Sequence, residues 1–253
     1  MAIIELHDVT KSYGSFDALR GVNLKVNEGE VTCVLGDNGA GKSTLIKILS
    51  GLHQPTGGEL LIDGTPATFS SPRDALDAGI ATVYQTLAIV DELSVWRNFF
   101  LGQELTGAFG RLREAEMKRI CSEQLLQMGI DIPDVDVEAG NLSGGQRQVV
   151  AIARAVYFGA RVVILDEPTA ALGVKQSGVV LRFIAAARDK GVAVVFVTHN
   201  PHHAYLVGDH FTILKLGRQE LDAPRSAITL DELTREMAGG AELETLSHEL
   251  ERA

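Results

Sequence analysis

The sequence GDNGAGKS (36–43) has the residue types and spacing of a loop that binds phosphate. It follows the apolar run VTCVL (31–35) and precedes the helical pattern TLIKILS (44–50). Glycines allow successive backbone N–H groups to turn toward one anion, and the N-terminus of the next helix adds partial positive charge. We therefore expect Lys42 to reach the outer phosphates of a nucleotide and Ser43 to bind Mg²⁺. The predicted phosphate-binding residues are Gly36, Asn38, Gly39, Ala40, Gly41, Lys42, Ser43 and Thr44.

Two adjacent acids end another apolar run, RVVILDEPT (161–169). Asp166 closes the predicted strand, where its carboxylate can hold the shell of Mg²⁺ through water. Glu167 follows it and can polarise an attacking water as a general base. Because neighbouring side chains on extended backbone point in opposite directions, we expect the two carboxylates to take separate roles.

The segment LSGGQRQ (142–148) has no acid, no metal-ligand pair and no base beside a nucleophile. Its two glycines, flanked by Ser143 and Gln146, can offer backbone N–H groups and little else. A helical pattern follows them. The residues alone therefore do not identify the ligand of this segment.

The elements that must position these residues form an α/β pattern. Apolar runs bounded by turn residues predict strands at 3–9, 22–26, 31–35, 59–63, 80–84, 161–166, 192–198 and 211–216, and helical periods occur at 42–50, 174–189 and 201–207. The central runs are continuous in Val, Ile and Leu, which is typical of parallel strands buried on both faces. The first two alternate, and the turn-like segment YGSFDALRG (13–21) joins them. They predict an antiparallel β layer at the edge.

The sequence predicts one domain over 1–253 with three parts. Residues 1–86 and 156–222 form the α/β core. Residues 87–155, where strands give way to charged helical segments, form an inserted helical subdomain. Residues 223–253 form a helical tail.

Two helical segments carry apolar residues at helical spacing. In the segment 111–128, the residues expected on one face are Ile120, Leu125, Leu126 and Met128. In the tail they are Leu243, Leu246 and Leu250. The tail face can pack on its own domain or join two copies of the chain.

Composition and charge exclude several classes of protein. The net charge of −10 argues against a nucleic-acid binder, because affinity for the phosphate backbone requires an excess of Lys and Arg. The two cysteines, Cys33 and Cys121, have no partner motif and suit a reducing compartment. We expect no signal peptide, because Glu5, His7 and Asp8 interrupt the N-terminal apolar residues, and no membrane span, because Arg154 and Arg161 break the most apolar stretch (149–165).

Five motifs in a fixed order resemble the nucleotide-binding subunit of an ATP-binding cassette (ABC) transporter. They are GDNGAGKS, Gln85 after VY, LSGGQRQ, VVILDEPT and His199 after VFVT. The resemblance extends from about residue 3 to 222. It implies a P-loop NTPase core, mainly parallel, that binds ATP and Mg²⁺ and hydrolyses the ATP.

The resemblance also implies a role for each motif. Tyr13 would stack on adenine, with Phe16 as the competing ring. Gln85 would contact Mg²⁺ or the lytic water, and His199 would contact the γ-phosphate and help to position Glu167. The catalytic residues would then be Lys42, Gln85, Glu167 and His199, and the Mg²⁺ ligands Ser43, Gln85 and Asp166.

The same resemblance implies a ligand for the LSGGQ segment. As a helix N-terminus it would bind the γ-phosphate of ATP held by a second copy of the chain, so that two copies bury two ATP molecules. The residues involved would be Leu142, Ser143, Gly144, Gly145 and Gln146. One departure follows in AALGVKQ (170–176), where Gly173 replaces the Asp of the family's SALD pattern, so cross-site signalling through that Asp is in doubt.

The region 71–104 resembles the ATPases of bacterial importers of monosaccharides such as ribose, xylose or fructose. This implies a membrane permease and, indirectly, a periplasmic sugar-binding protein as partners, at the cytoplasmic face of the inner membrane. An ABC ATPase for another substrate, an exporter cassette and a non-transport ABC ATPase remain as alternatives. The non-transport ATPases of chromosome structure carry long coiled coils, which this sequence lacks.

Three further histidines, His202, His203 and His210, lie near His199 in the sequence. A metal site is one interpretation. However, HNPHH has no recognised ligand spacing and begins a predicted helix. We expect solvated histidines.

Overall fold

The computed structural model describes residues 1–238, which form ten strands and eight α-helices. The tail leucines Leu243, Leu246 and Leu250 lie outside the described residues. The strands, in chain order, are β1 (Ala2–Tyr13), β2 (Phe16–Asn27), β3 (Val31–Leu35), β4 (Gly57–Ile62), β5 (Thr65–Pro66), β6 (Ile80–Val83), β7 (Val162–Asp166), β8 (Ala193–Thr198), β9 (His210–Lys215) and β10 (Arg218–Pro224).

The helices follow the strands in the order that βαβ units require, with the largest group between β6 and β7. They are α1 (Lys42–Leu49), α2 (Pro72–Asp77), α3 (Val95–Phe100), α4 (Glu114–Gln127), α5 (Gly144–Tyr157), α6 (Val174–Asp189), α7 (Pro201–Val207) and α8 (Leu230–Met237). No helix within residues 1–238 combines the length and apolarity needed to cross a bilayer.

The larger sheet has the order β10-β9-β3-β8-β7-β6, and only β10 is antiparallel to its neighbour. Every residue of β3 and β8 is buried, as their continuous Val, Ile and Leu runs predict. The strands that precede GDNGAGKS, Glu167 and His199 are β3, β7 and β8, which are consecutive neighbours. Their carboxyl ends therefore bring the three motifs to one edge of the sheet.

The smaller sheet is antiparallel, with the order β2-β1-β4-β5. The expected edge layer is confirmed, but the segment YGSFDALRG is not a connection. Its residues from Phe16 onward belong to β2, and only Gly14 and Ser15 form the turn between the strands. Ala18 and Leu19 are buried, so apolar burial extends the hairpin further than the turn residues suggested.

Apolar residues on the two faces of the larger sheet form separate clusters. On β3, Val34 belongs to the cluster that holds α1 between the two sheets, whereas Cys33 and Leu35 face the cluster of the other helices. Each fully buried aliphatic side chain contributes roughly 1.5–3 kcal/mol of hydrophobic free energy. The side chains of β3 thus stabilise both faces of the sheet that carries the phosphate loop.

The segment between β6 and β7 is helical, and its packing differs in one detail from the expectation. The buried residues of α4 are Met117, Cys121 and Leu125, which follow the i, i+4 spacing of one helix face. Leu126 is 63% exposed, so its expected place on that face is wrong. The division of the chain at 87 and 155 stays a prediction, and α5 continues to Tyr157.

Both cysteines are buried free thiols. Burial raises the pKa of Cys121 to about 12, and burial together with the charge of Asp209 raises that of Cys33 further. Thiols with such pKa values carry little thiolate at neutral pH and are poor nucleophiles. The two cysteines therefore act as packing residues.

Several elements have no counterpart in the sequence patterns. The most consequential is β10, whose residues alternate between exposed and half-buried and whose polar composition hid it. It pairs with β9 and ends the larger sheet. Because β10 reaches Pro224, the sheet extends past the predicted start of the tail.

Candidate functional site

The phosphate loop connects β3 to α1, and two of its glycines, Gly36 and Gly41, could not be replaced by another residue without a clash. Gly36 has φ 144°, and a Cβ atom there would lie 2.3 Å from the carbonyl oxygen of Leu214. Gly41 has φ 110°, and a Cβ atom would lie 2.8 Å from Leu19. Helix α1 begins at Lys42 with no acid in its first turn. Its N-terminus is therefore suited to an anion.

Lys42 is the charged group at the base of this loop, and its side chain is only 8% exposed. Its ammonium donates hydrogen bonds to the carbonyl oxygens of Gly36 and Asp37. It also lies 3.6 Å from the Glu167 carboxylate. A buried cation requires such partners. Charged phosphate oxygens could take the place of the two neutral carbonyl oxygens.

The two acids at the end of β7 differ in backbone conformation. Asp166 is the last residue of the strand, whereas Glu167 has φ 49°, in the left-handed region that non-glycine residues seldom occupy. The expected extended backbone at this pair is therefore wrong. The Glu167 amide donates to the carbonyl of Val197 on β8, 2.9 Å away, which helps to hold this strained conformation.

Glu167 and His199 form a hydrogen-bonded pair. The distance from His199 Nδ1 to Glu167 Oε2 is 2.9 Å. The glutamate side chain is 12% exposed and the histidine side chain 54%. The His199 ring therefore contacts the carboxylate while part of it faces the solvent, and its contact with a γ-phosphate stays a prediction.

Asp166 is half-buried beside this pair. Desolvation raises the pKa of its carboxyl, the negative charge of Glu167 raises it further, and Lys42 lowers it. A site that disfavours the ionised carboxylate in this way favours a cation that would neutralise it.

A cavity of about 260 Å³ is lined by Lys42, Asp166 and Glu167, but not by His199. Its lining residues are Phe16, Ala18, Asp37, Asn38, Gly39, Gly41, Lys42, Ser43, Thr44, Gln85, Asp166 and Glu167. The sequence patterns missed Ala18 and Asp37, although Asp37 lies inside the motif itself. Gly36 and Ala40 do not line the cavity, and Ala40 packs in the apolar cluster around α1.

The two candidate aromatic rings have different surroundings. Phe16 is 61% exposed and lines the cavity. Tyr13 does not line it, and its ring contacts His53 edge-on, with 5.7 Å between the ring centroids. The Lys11 ammonium lies 5.3 Å from the Tyr13 centroid. The stacking of Tyr13 on adenine stays a prediction.

Comparison with known proteins identifies the family of the chain that carries this site. A sequence model described as "ABC transporter" matches residues 19–170. The chain belongs to the ABC transporter family. This family hydrolyses ATP, so the Lys42, Glu167 and His199 constellation belongs to an ATPase.

Individual relatives of this ABC ATPase support the assignment. It is 43% identical to the xylose/arabinose import ATP-binding protein XylG of Sulfolobus acidocaldarius, over 94% of this chain and 95% of that one. It is 40% identical to the ribose import ATP-binding protein RbsA 1 of Streptomyces coelicolor, over 94% of this chain but only 47% of the relative. A dimeric, post-hydrolysis structure of the ATP-binding cassette MJ0796 with ADP and Pi has 30% identity and a TM-score of 0.73, over 88% of this chain and 98% of that one.

In this ABC ATPase, the LSGGQ segment begins α5. Ser143 is the exposed N-cap residue, its hydroxyl accepts from the Gln146 amide, and the Gln146 side chain accepts from the Ser143 amide. This capping box occupies two amides; of the two residues between them Gly144 is half-buried and Gly145 is buried, and their contact with a phosphate stays a prediction. The buried Leu142 anchors the segment. None of these residues lines the 260 Å³ cavity.

Gly173, the departure from the family pattern, is the N-cap residue of α6. Its φ of −70° and ψ of 164° are accessible to any residue. A Cβ atom built on it would meet nothing within 4 Å. An aspartate could therefore occupy position 173 without a clash or backbone strain.

Two of the three additional histidines have side-chain partners. His203 Nδ1 is 3.0 Å from Thr169 Oγ1, and His210 Nε2 is 2.9 Å from Asp222 Oδ1. The expectation of solvated histidines is wrong for these two and holds for the exposed His202. Within residues 1–238, no group of three or more His, Cys, Asp and Glu residues could hold a metal ion.

Proposed function

We propose that this ABC ATPase is the subunit that supplies energy for the import of a monosaccharide through a membrane permease. The observation that carries the proposal is the gathering of Lys42, Glu167 and His199 at one edge of the sheet in a chain similar to sugar import ATP-binding proteins. Because both relatives are named import proteins, import is favoured over export and over non-transport roles.

The proposed reaction is attack of water on the γ-phosphorus of ATP. Glu167 accepts the proton as the water oxygen bonds to phosphorus, and the bond to the bridging oxygen breaks to release ADP and phosphate. His199 holds the Glu167 carboxylate through the 2.9 Å hydrogen bond. Lys42 exchanges its carbonyl partners for phosphate oxygens and stabilises the charge that develops on them.

The residues around the cavity fit Mg²⁺. Ser43, Gln85 and Asp166 line it together and offer a hydroxyl, an amide and a carboxylate oxygen, the hard donors that Mg²⁺ requires. The raised pKa of Asp166 supports a cation at this position. Mg²⁺ would neutralise charge on the phosphates when bound.

We infer that two copies act together, as in the dimeric MJ0796 cassette. Ser143, Gly144 and Gly145 lie at a helix N-terminus but do not line their own nucleotide cavity. A second copy arranged head to tail would supply the phosphate they bind. ATP would then hold the dimer closed until hydrolysis.

The permease would bind at a cleft of about 610 Å³ between the α/β core and α3 and α5. Its lining includes Leu76, which is 49% exposed, Tyr84, which precedes Gln85, and Phe158. Gln85 lines the nucleotide cavity at the same time. The segment of Tyr84 and Gln85 thus contacts both sites and can transmit nucleotide occupancy to the partner.

The proposed location is peripheral, on the cytoplasmic face of the inner membrane, with the permease as the attachment. A periplasmic sugar-binding protein would deliver the substrate to the permease. We predict no nucleic-acid partner, because the net charge of the chain is −10.

Reconstitution tests the proposed function. The chain is placed in liposomes with its permease and a sugar-binding protein, and uptake of labelled ribose, xylose and fructose is measured together with phosphate release. We expect one sugar to accumulate and to stimulate ATP hydrolysis. Uptake that needs no ATP, or hydrolysis that no sugar stimulates, would contradict sugar import.

Two variants separate the parts of this proposal. Lys42→Ala should abolish uptake and weaken ATP binding by about ten- to a hundredfold, since a charged hydrogen bond is lost.

Leu76→Glu should retain ATP hydrolysis by the chain alone but lose binding to the permease. Leu126→Glu, at an exposed leucine outside the cleft, is the matched control and should behave as the wild type. Equal binding of the permease by both leucine variants would exclude this cleft.

A further inference from the structure

A second hydrogen bond lies beside the Glu167–His199 pair. It joins Thr169 Oγ1 to His203 Nδ1 over 3.0 Å. The Thr169 residue is 4% exposed, so its hydroxyl requires an internal partner. This contact is not among the groups that line the nucleotide cavity.

The position of this contact relates it to the catalytic pair. Thr169 follows Glu167 by two residues, and His203 follows His199 by four. Both hydrogen bonds therefore connect the segment after β7 to the segment after β8. The inner bond orients the carboxylate, and the outer bond limits how far the two segments can separate.

The His203 side of the contact is itself held in place. Asn200 caps α7 by accepting from the His203 amide at 3.1 Å, and the Asn200 amide donates to the Thr198 hydroxyl at 3.1 Å. His203 thus lies in a capped first turn that is tied to the end of β8. A ring fixed in this way can restrain the partner segment.

The Glu167 side needs such a restraint. Its φ of 49° is a strained conformation that surrounding contacts must maintain. Its amide is bonded to Val197, but the chain after it has turned away from the strand and into the Pro168–Ala171 turn. After Glu167, the next side chain that forms a hydrogen bond with the segment following β8 is Thr169, through its hydroxyl.

We propose that Thr169 and His203 are positioning residues, which hold the Glu167 carboxylate at the angle required to accept a proton from the attacking water. The inference rests on the proposed role of Glu167 as the general base. Neither residue lines the nucleotide cavity. Their effect is on the turnover step, because a carboxylate displaced by a fraction of an ångström transfers protons poorly.

The imidazole is suited to this role in its neutral form. Burial, with the neighbouring charges of His202 and His199, lowers the pKa of His203. A neutral ring can accept a hydrogen bond from the Thr169 hydroxyl at Nδ1 or, in the other tautomer, donate one to it.

Steady-state ATP hydrolysis by the full chain, with ATP affinity measured by calorimetry, tests the proposal. Thr169→Val removes the hydroxyl at nearly constant volume and should lower kcat by about three- to tenfold, with less than a twofold change in ATP affinity. Thr169→Ser keeps the hydroxyl and should restore kcat to within about twofold of the wild type. A merely structural role would lower stability and ATP affinity along with kcat, whereas a positioning role lowers kcat alone.

His203→Phe provides the second half of the test and replaces Thr169→Val if that variant does not fold. It should lower kcat by the same factor as Thr169→Val, and the double variant should be no worse than either single one. His202→Ala, at the exposed neighbour, is the control and should keep the wild-type kcat. Normal turnover by both Thr169→Val and His203→Phe would overturn the positioning role.

One comparison distinguishes failure of this inference from failure of the proposed function. If the wild type hydrolyses ATP, Glu167→Gln does not, and Thr169→Val turns over normally, only the positioning role is wrong. If Glu167→Gln hydrolyses ATP at the normal rate, the assignment of the base is wrong, and the positioning role falls with it.

Discussion

Glu167 lies 3.6 Å from the Lys42 ammonium and 2.9 Å from the His199 ring, in a position that is nearly closed to solvent. Its neighbour Asp166 is half-buried and has fewer partners, so the two adjacent carboxyls experience different environments. Differences of this kind allow adjacent acids to perform separate tasks. At the scale of single residues, the chemistry of the site therefore depends on which charges face each carboxylate.

The raised pKa of Asp166 predicts a dependence of stability on pH. A carboxyl whose pKa rises on folding favours the native state while it is protonated, and this contribution is lost as the pH rises through its native pKa. Without nucleotide and in EDTA, Asp166→Asn should therefore raise Tm near neutral pH by about 2–4 °C, the effect of roughly 1 kcal/mol in a domain of this size. The gain should shrink as the solution is acidified.

Thermal melts from acidic to neutral pH measure this difference. Asp131→Asn, at an exposed aspartate, serves as the control and should leave Tm nearly unchanged across the same range. A Tm for Asp166→Asn below that of the wild type at neutral pH would show that the ionised carboxylate stabilises the site.

The adenine platform is a second prediction at the residue scale. Loss of a stacking ring costs about 1–3 kcal/mol per base, so Tyr13→Ala should weaken ATP binding about five- to a hundredfold. Phe16→Ala should weaken it less if the family pattern assigns the ring correctly. Titration with a fluorescent ATP analogue measures both affinities. A larger loss for Phe16→Ala would transfer the role to the ring that lines the cavity.

At the scale of elements, Gly173 leaves the N-terminus of α6 without a side-chain cap. Gly173→Asp should add a hydrogen-bond acceptor and a favourable interaction with the helix dipole, at a backbone geometry that aspartate can adopt. We expect the free energy of unfolding to rise by about 0.5–1 kcal/mol relative to the wild type.

Urea denaturation of Gly173→Asp and Gly173→Ala measures this effect. The alanine variant is the matched control, because it adds a Cβ atom in open space but no cap. Equal stability of the two variants would contradict a capping role. If the same aspartate also changes the cooperativity of ATP hydrolysis, position 173 communicates between the two sites.

At the scale of the whole molecule, the proposed ATP site is divided between the phosphate loop of one copy and the LSGGQ segment of the other. Ser143→Arg should abolish hydrolysis but spare ATP binding by the monomer, because the altered residue does not line its own nucleotide cavity. Calorimetry and phosphate release measure the two properties. Loss of ATP binding by the Ser143→Arg monomer would contradict the head-to-tail geometry.

A mixing experiment extends this test to the dimer. Ser143→Arg and Lys42→Ala chains are each inactive, but a mixed dimer contains one site with an intact phosphate loop and an intact LSGGQ segment. If the two sites act independently, an equal mixture should recover about a quarter of the wild-type activity, since half of the dimers are mixed and each has one of two sites.

Glu167→Gln is the complementary prediction for assembly. The amide retains the size of the side chain but cannot accept the proton, so ATP should bind and remain intact, with hydrolysis reduced by at least about a hundredfold. Size-exclusion chromatography with ATP should then show a stable dimer, and ADP should not produce it. A monomer at saturating ATP would contradict closure of the dimer by ATP.

Much of the fold and the site could be predicted because local patterns carry them. The continuous apolar runs of β3 and β8 required burial on both faces, and the motifs that follow them had to lie at one edge of a parallel sheet. The hairpin of β1 and β2 was recognised, but its length was not, since burial of Ala18 and Leu19 depends on the layer below. The strand β10 was missed because it is a polar edge strand.

The sequence by itself determined the order and chemistry of the motifs, since glycine spacing, helix starts and strand ends are local properties of the chain. The tertiary structure decided the conformation of Glu167, the depth of Lys42 and the partner of His203. These features arise from contacts between residues that are distant in sequence, and such contacts depend on how β7, β8 and α1 pack. That packing brings the Glu167 carboxylate, the Lys42 ammonium and the His199 ring together at one edge of the sheet.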